Sequence, residues 1–260
     1  MQRLTGKVAL VTGASRGVGR GAAICLAEEG ADVLVNYRTH PDEAEEVVAA
    51  VTALGRRALA WQADVADRAQ VERMVQATVE HFGRLDIAVA NAAYSVRQPL
   101  LTADWEGVKR TVDVTMFGVF HTCQFAARRM VAQGHGGKIV IISSLVSDMV
   151  FGSAPIYSMC KAAINQMGRM LADELAPHHI NVNVIKPGWT DTPGERAFFS
   201  DAEIESGGKL IPWGRLATAR DIGKCVVYLA SDDADYVTGA AIPVDGGYMG
   251  GMRLPSTEEK

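Results

Sequence analysis

The feature that most constrains the fold is a set of glycines at residues 13, 17 and 19, directly after a short apolar run at residues 8–11. The residues that follow have helical periodicity, so the glycines occupy the turn of a strand–turn–helix unit. Glycine permits a tight turn and a close backbone approach to a ligand, and a helix N-terminus attracts anions. The turn therefore predicts a cradle for a pyrophosphate, formed by Gly13, Ser15, Arg16, Gly17, Val18 and Gly19.

The rest of the chain alternates short apolar runs with helical stretches. Strands are predicted at residues 8–11, 32–36, 58–63, 87–90, 138–143, 181–185 and 241–244. Helices are predicted at residues 17–29, 41–54, 69–82, 104–133, 155–175 and 219–229. Crossovers of this length join parallel strands, and sheets covered on both sides have continuously apolar strands. The expected fold is α/β: a single domain with a doubly wound, parallel, seven-stranded sheet and helices on both faces.

Composition argues against several classes of protein. The chain has 260 residues, of which 48% are hydrophobic and 22% charged, as is typical of a globular domain and not of a disordered chain. A formal charge of -4 gives no reason to expect nucleic acid or an anionic membrane as a partner. Residues 1–13 lack the apolar stretch of a signal peptide, and no apolar run has the length of a membrane span.

The cysteines and histidines indicate neither a disulfide framework nor a metal site. Cys25, Cys123, Cys160 and Cys225 are widely spaced and lie in apolar or helical contexts, which favours small core residues in a reduced, cytoplasmic compartment. The six histidines do not have the spacing of metal ligands.

The end of the second predicted strand bears on which dinucleotide the turn would hold. An NAD site favours a carboxylate there for the ribose 2′-hydroxyl, whereas an NADP site favours arginine for the 2′-phosphate. The sequence reads Asn36-Tyr37-Arg38, without an acidic residue, and Arg16 adds a second positive charge. We therefore expect NADP to be the preferred cofactor, bound by Arg38 and Arg16 beside Tyr37, with NAD as the alternative.

A tyrosine and a lysine four residues apart, Tyr157 and Lys161, share one face of a predicted helix. Ser144 follows the fifth predicted strand, at the sheet edge where doubly wound folds bind ligands. Reducing a ketone requires a proton for the developing alkoxide, and a nearby ammonium group makes tyrosine a better exchanger of protons by lowering its pKa. A serine hydroxyl can hold the substrate oxygen. These three residues are therefore the candidate catalytic residues.

Together these motifs resemble the short-chain dehydrogenase/reductase family over almost the whole chain. Four further motifs carry the resemblance: Asp64-Val65, Asn91-Ala92-Ala93, Pro187-Gly188 with Thr192, and Asp245-Gly246-Gly247. The resemblance implies a Rossmann-like, NAD(P)-binding catalytic domain over residues 1–252, followed by a polar tail at residues 253–260. It also implies a homotetramer or homodimer and the interconversion of a ketone or aldehyde with an alcohol by hydride transfer, so the expected partner is a small carbonyl or alcohol substrate.

The resemblance also implies a role for each site residue. Tyr157 would be the general acid/base, Lys161 would lower its pKa and bind the nicotinamide ribose, and Ser144 would orient the substrate oxygen. Contacts to the cofactor are implied at the adenine for Asp64 and Val65, beneath the adenosine ribose for Asn91 and Ala92, and at the nicotinamide amide for Pro187, Gly188, Thr190 and Thr192.

Three positions depart from the family pattern. Ala93 replaces a glycine, and Thr115 replaces an asparagine that is thought to anchor a water in a proton path to the lysine. The third departure is a second Pro-Gly, which opens an insert at residues 193–213. We expect this insert to be a lid that is mobile without ligand.

The substrate wall is expected to combine this lid with Tyr94, Trp189 and residues 146–151. Phe198, Phe199 and Trp213 favour an apolar or ring-shaped substrate, although they could equally pack the lid onto the core. Glu195 and Arg196 are available for a hydroxyl or a carboxylate.

Two alternatives stay open. The chain could be an NAD-preferring sugar dehydrogenase similar to glucose 1-dehydrogenases, or a 3-oxoacyl reductase. The altered position Thr115 also leaves room for a protein that binds the cofactor without turnover.

Overall fold

The computed structural model describes residues 2–150, 152 and 154–250, which are built around one parallel sheet. The strands are β1 (Val8–Val11), β2 (Asp32–Tyr37), β3 (Ala58–Gln62), β4 (Ile87–Ala90), β5 (Gly137–Ile142), β6 (Ile180–Pro187), β7 (Thr190–Asp191), β8 (Ala217–Thr218) and β9 (Ala241–Val244). Seven of them form the sheet in the order β3-β2-β1-β4-β5-β6-β9, while β7 and β8 form a separate parallel pair. The predicted seven-stranded parallel sheet is confirmed. The predicted tail at residues 253–260 lies outside the described residues.

The helices agree with the prediction except at one long segment and in the insert, where two helices were not predicted. They are α1 (Gly17–Glu28), α2 (Pro41–Ala53), α3 (Arg68–Phe82), α4 (Trp105–Val112), α5 (Gly118–Gln133), α6 (Pro155–Leu175), α7 (Pro193–Arg196), α8 (Asp201–Leu210) and α9 (Ala219–Ala230). The single helix predicted at residues 104–133 was wrong, since α4 and α5 are joined by a π-helical turn at Asp113–Phe117. Such a turn widens one backbone hydrogen-bond loop and barely alters the hydrophobic periodicity.

The core is divided by the sheet into two apolar layers. Side chains alternate along a strand, so Leu10 of β1 faces one layer while Ala9 and Val11 face the other. The layer around Leu10 is filled by buried residues of α3, α5 and α6, and the opposite layer by residues of α1, α2 and α9. Helices therefore cover both faces, which explains why all four residues of β1 are buried.

The strand order reverses between β1 and β4. The chain moves outward from β1 to β2 and β3 and then returns to pair β4 with the other side of β1. At such a reversal the loops leaving the two strands diverge, and a crevice opens at their carboxyl ends. The glycine turn follows β1 and Asn91 follows β4, so both predicted motifs lie at this crevice.

The predicted lid belongs to an insert between β6 and β9 with its own secondary structure. It contains β7, α7, α8 and β8, and it has a small apolar core of Ile204, Ile211 and Leu216 against which Trp189 and Phe199 pack. Its mobility stays a prediction.

Candidate active site

A cavity of about 730 Å³ lies where β1, β4, β5 and β6 end. It is lined by every residue predicted for the cofactor and the catalytic step except Gly19. The fold therefore brings the glycine turn, Ser144, Tyr157 and Lys161 to the walls of one cavity.

The glycine turn uses two glycines for their backbone angles and one for close packing. Gly13 and Gly17 have φ angles of +62° and +55°, in the left-handed region that side chains disfavour. Gly19 lies in the first turn of α1, where an added Cβ would come within 2.3 Å of the Gly13 carbonyl oxygen. Gly19 thus lets the helix pack against the turn, which explains why it is absent from the cavity wall.

Two asparagine side chains hold the turn in place. Asn36 is buried and accepts a hydrogen bond from the Gly13 amide at 3.0 Å. Asn91 donates to the carbonyl oxygens of Thr12 and Gly13 at 2.8 and 3.1 Å. Sequence reasoning treated Asn36 only as the absence of a carboxylate. Its structural role was missed because its partner Gly13 is distant in the chain.

The predicted phosphate arginines both have acidic neighbours. Arg16 makes a two-pronged ion pair with Glu43, at 2.7 Å from Nε and 2.5 Å from Nη2. Arg38 is half exposed and lies 3.9 Å from a carboxylate oxygen of Asp64. The same oxygen accepts from Arg110 at 2.7 Å. Asp64 therefore already binds a guanidinium, in addition to the adenine contact that the resemblance implies.

The candidate catalytic residues are positioned by β5 and α6. Ser144 follows β5 and caps the short 3₁₀ turn Leu145–Ser147, its Oγ accepting from the Val146 amide at 3.4 Å. Tyr157 lies in the first turn of α6, which Pro155 begins, and Lys161 lies one turn further on. The Lys161 Nζ donates to the Ile142 carbonyl at 2.7 Å and lies 5.3 Å from the centroid of the Tyr157 ring.

In the protein chain alone, burial is the largest cause of the pKa shifts of both Tyr157 and Lys161. It raises the pKa of Tyr157, the nearby charge of Glu195 raises it further, and Arg97 opposes both. Burial also lowers the pKa of Lys161 from 10.5 to about 7. In the chain by itself the Tyr157 pKa is therefore raised overall, because desolvation disfavours its charged form, and the predicted lowering by Lys161 stays a prediction.

The loop after β6 is fixed closely against β9. The Gly188 amide donates to the Val244 carbonyl at 2.9 Å, and a Cβ at Gly188 would lie 2.7 Å from the Cα of Asp245. Thr190 donates to the Gly188 carbonyl at 3.0 Å, and Thr192 caps α7 by accepting from the Glu195 amide. The residues predicted to contact the nicotinamide therefore lie on a segment of the cavity wall that is hydrogen-bonded to β9 and leads into α7.

An ion pair that sequence reasoning missed crosses the outer part of the cavity. Arg97, in the loop after β4, binds a carboxylate oxygen of Glu195 in α7, and its guanidinium carbon lies 4.1 Å from the centroid of the Phe198 ring. The other carboxylate oxygen accepts from the Trp189 indole at 3.2 Å. Glu195 was a candidate from the sequence, but Arg97 was not, because the two are 98 residues apart.

Two other predicted wall residues lie elsewhere. Arg196 does not line the cavity and pairs with Asp191 and Asp201 at 2.7 and 2.5 Å, so its proposed contact with a hydroxyl or carboxylate was wrong. Trp213 is largely exposed and also lies off the cavity. Tyr94, Val146, Met149, Trp189, Phe198 and Phe199 do line it, as predicted. The predicted wall residue Phe151 is outside the described residues.

Thr115 has a defined structural role in the π-helical turn. Its hydroxyl donates to the Tyr94 carbonyl at 2.7 Å and accepts from the Tyr94 amide at 2.9 Å. The residue that replaces the family asparagine therefore ties the loop after β4 to the turn between α4 and α5.

Other side-chain chemistry is limited within the described ranges. They contain no group of His, Cys, Asp and Glu that could hold a metal ion, and none of their helices has the length and apolarity needed to cross a membrane. Cys25, Cys123 and Cys160 are buried and unpaired, as predicted, and Cys225 is half-buried.

Comparison with known proteins finds matches that extend over almost the whole chain. The family model described as enoyl-(acyl carrier protein) reductase matches residues 13–249. An uncharacterised oxidoreductase of Methylorubrum extorquens is 42% identical, over 95% of this chain and 99% of that protein. L-Rhamnose 1-dehydrogenase (NAD(P)(+)) of Sphingomonas sp. is 41% identical, over 95% of this chain and 98% of that protein. A crystal structure from Sinorhizobium meliloti, described as a short-chain alcohol dehydrogenase, superposes with a TM-score of 0.91 at 38% identity, covering 96% of this chain and 98% of that one.

Proposed function

The chain belongs to the short-chain dehydrogenase/reductase family of oxidoreductases, and from that premise we propose that Tyr157, Lys161 and Ser144 catalyse the interconversion of an alcohol with a ketone or aldehyde. The observation that carries the proposal is that these three side chains line the same cavity as the glycine turn. We also propose that residues 1–252 act as one catalytic domain whose substrate lid comprises about residues 193–213.

The residues at the turn fit a nicotinamide dinucleotide. Gly13 and Gly17 line the cavity and have backbone angles that side chains disfavour. Helix α1 begins at Gly17, so its N-terminus is at the cavity. A pyrophosphate there would meet backbone N–H groups and the positive end of a helix. When bound, the nicotinamide would accept or donate the hydride.

The chain's own residues supply the proton transfer and the orientation. Tyr157, whose raised pKa keeps it protonated at neutral pH, donates its proton to the substrate oxygen as a carbonyl is reduced. Ser144 donates a hydrogen bond to the same oxygen and holds it beside Tyr157. The Lys161 Nζ is fixed by the Ile142 carbonyl and has further N–H groups for the nicotinamide ribose.

For the cofactor we propose a preference for NADP over NAD. Support comes from Arg38 and Arg16, which line the cavity beside Tyr37, and from the lack of an acidic side chain at the end of β2. Arginine binds a phosphate through two parallel charged hydrogen bonds. Because Glu43 already engages Arg16, the preference depends mainly on Arg38.

The decisive test is Tyr157→Phe, which removes the hydroxyl and keeps the ring. The variant should lose turnover of carbonyl and alcohol panels by about 10²-fold or more, since proton transfer by a positioned side chain contributes that much. Thermal-shift titrations with NADP⁺ and NAD⁺ should show binding near that of wild type. A fully active variant would refute the assignment of Tyr157.

The wild type tests the two remaining points. Cofactor binding without turnover of any substrate would favour the non-catalytic alternative. A larger thermal shift with NAD⁺ than with NADP⁺ would overturn the proposed preference for NADP.

A further inference from the structure

The outer half of the cavity, beyond Tyr157, is where a substrate would lie. It is lined by the loop after β4, the turn after Ser144 and the insert. Apart from Lys161, whose ammonium is bound to a backbone carbonyl, the charged side chains that the described chain contributes here are Arg97 and Glu195. One is positive and the other negative, so this half of the cavity carries no net charge from the pair.

Glu195 is held in this ion pair by several contacts. Its two carboxylate oxygens bind Arg97 and the Trp189 indole, and its amide is bonded to Thr192. Trp189 is fixed in turn, because its ring lies directly over Gly207 of α8, where a Cβ would come within 2.0 Å. A substrate carboxylate would find Arg97 already paired and Glu195 as a like charge beside it, so the site disfavours an anionic substrate.

The same wall also disfavours a substrate without polar groups. Ser95 lines the cavity, and its buried hydroxyl has no hydrogen-bond partner within the described ranges. An apolar molecule would give this buried hydroxyl no partner and would leave the remaining hydrogen-bonding capacity of the ion pair unmet, which is unfavourable. A substrate hydroxyl could satisfy Ser95, and another could donate to a remaining lone pair of Glu195.

We propose that the substrate is a small, neutral ring compound with several hydroxyl groups, such as an aldose. Ser95 and Glu195 bind hydroxyl groups remote from the reacting carbon, and the rings of Phe198 and Phe199 pack against the C–H face of the sugar ring. The inference rests on the proposed function. In the oxidation, Tyr157 would have to be the phenolate to take the proton of the reacting hydroxyl, and a bound oxidised nicotinamide would take the hydride from the same carbon as the C=O bond forms.

The first experiment compares three probes as substrates of the intact protein. L-Rhamnose is neutral and hydroxylated, cyclohexanol is a ring with a single hydroxyl, and glucuronate carries a carboxylate. The kcat/KM for rhamnose should exceed the other two by about tenfold or more, because a site built for hydroxyl groups discriminates strongly against analogues that lack them. Binding of rhamnose to Tyr157→Phe in the presence of the cofactor, followed by calorimetry, gives a readout that does not depend on turnover.

Two variants test the residues. Ser95→Ala and Glu195→Gln should each lower the ratio of kcat/KM for rhamnose to that for cyclohexanol by about tenfold. Ser95→Ala removes only an unpartnered hydroxyl, so its folding is unaffected. Glu205→Gln, which breaks an exposed ion pair with Lys209 on α8 of the same insert, is the matched control and should leave the ratio unchanged.

The outcomes separate this inference from the proposed function. If the wild type prefers cyclohexanol or glucuronate, and Tyr157→Phe loses this activity, the inference is overturned and the proposed function stands. Unchanged ratios in both Ser95→Ala and Glu195→Gln also overturn it. If none of the probes and no other carbonyl or alcohol reacts, the proposed function fails, and the inference fails with it.

Discussion

Lys161 places an ionisable group in the core of the molecule. Its side chain is only 1% exposed and ranks among the largest fully buried ones in the described chain. A charged ammonium there loses its hydration, and a single hydrogen bond to the Ile142 carbonyl does not replace it. The lysine therefore releases its proton near neutral pH, far below its ordinary range.

This shift predicts a pH dependence of folding stability. The unfolded chain holds the Lys161 proton up to its ordinary pKa of 10.5, whereas the folded chain releases it at about 7. Unfolding thus takes up a proton in this window, and the free energy of unfolding should rise with pH by at most about 1.4 kcal/mol per pH unit. Tyr157 stays neutral there because its pKa is raised.

The measurement is urea unfolding of wild type and Lys161→Met across this window. Lys161→Met has nearly the same length and no charge, so the other titrating groups cancel in the difference between the two proteins. The stability of wild type relative to the variant should increase from pH 7 towards pH 10. A flat difference would show that Lys161 keeps its ordinary pKa in the folded chain.

Glu43 would compete with the cofactor 2′-phosphate proposed to bind Arg16. Its carboxylate holds Arg16 through two hydrogen bonds and adds a negative charge near the predicted 2′-phosphate site. Glu43→Gln should therefore raise the ratio of kcat/KM for NADP⁺ to that for NAD⁺ by about tenfold, since a hydrogen bond to a charged group has that order of strength.

Two further variants make this test specific. Arg38→Ala should lower the same ratio, because it removes the arginine whose acidic neighbour, Asp64, is the more distant one at 3.9 Å. Glu45→Gln, an exposed residue on the same helix, controls for the loss of one negative charge and should leave the ratio unchanged. Equal effects of Glu43→Gln and Glu45→Gln would indicate a general charge effect.

Local spacing determined which site residues the sequence could reveal. Tyr157 and Lys161 are one helical turn apart, so their common face follows from the sequence alone. Arg97 and Glu195 meet only through the tertiary fold, as do Arg16 and Glu43, and nothing in their local sequence marks either pair. The sequence therefore predicted the catalytic candidates and missed the charge pairing around them.

At the level of elements, the π-helical turn between α4 and α5 supports the loop after β4, which lines the cavity. Thr115 in this turn makes two hydrogen bonds to the backbone of Tyr94, and the same loop carries Ser95 and Arg97. Thr115→Val keeps the shape and removes both bonds, so it should lower the free energy of unfolding by about 1–3 kcal/mol. It should also raise the KM for substrate more than that for the cofactor.

The matched control is Thr122→Val in α5. Thr122 is equally buried, but its hydroxyl donates within its own helix, to the Gly118 carbonyl at 2.8 Å. This variant should lose some stability and leave both KM values near those of wild type. If it changed the KM for substrate as much as Thr115→Val does, the link between Thr115 and the loop would be refuted.

The elements themselves were largely predictable, and the exceptions have physical causes. All seven strands of the sheet were found; those buried on both faces, such as β1 and β4, read as continuous apolar runs. The interruption at Asp113–Phe117 was missed because both helices keep their apolar residues on the same side. The short pair β7–β8 was missed because strands of two residues carry no periodicity.

At the level of the whole molecule, one group of neighbouring helices carries several exposed apolar side chains. Phe117, the last residue of the π-helical turn, and Phe120, near the start of α5, are 46% and 39% exposed, and Met159 of α6 is 54% exposed. Trp105 of the neighbouring α4 is 70% exposed. Large exposed apolar side chains on adjacent helices are typical of a surface that another protein covers. We therefore predict that α5 and α6 form an interface between copies of this chain, giving a homodimer or homotetramer.

Light scattering coupled to size exclusion tests this prediction. Wild type should elute with the mass of two or four chains, and the double variant Phe120→Glu/Met159→Glu should elute as a smaller species, because burying two carboxylates without partners is strongly unfavourable. Leu210→Glu is the control, since Leu210 is 78% exposed on α8 of the insert. It should leave the mass unchanged. A monomeric wild type, or a double variant of undiminished mass, would show that these helices do not form the interface.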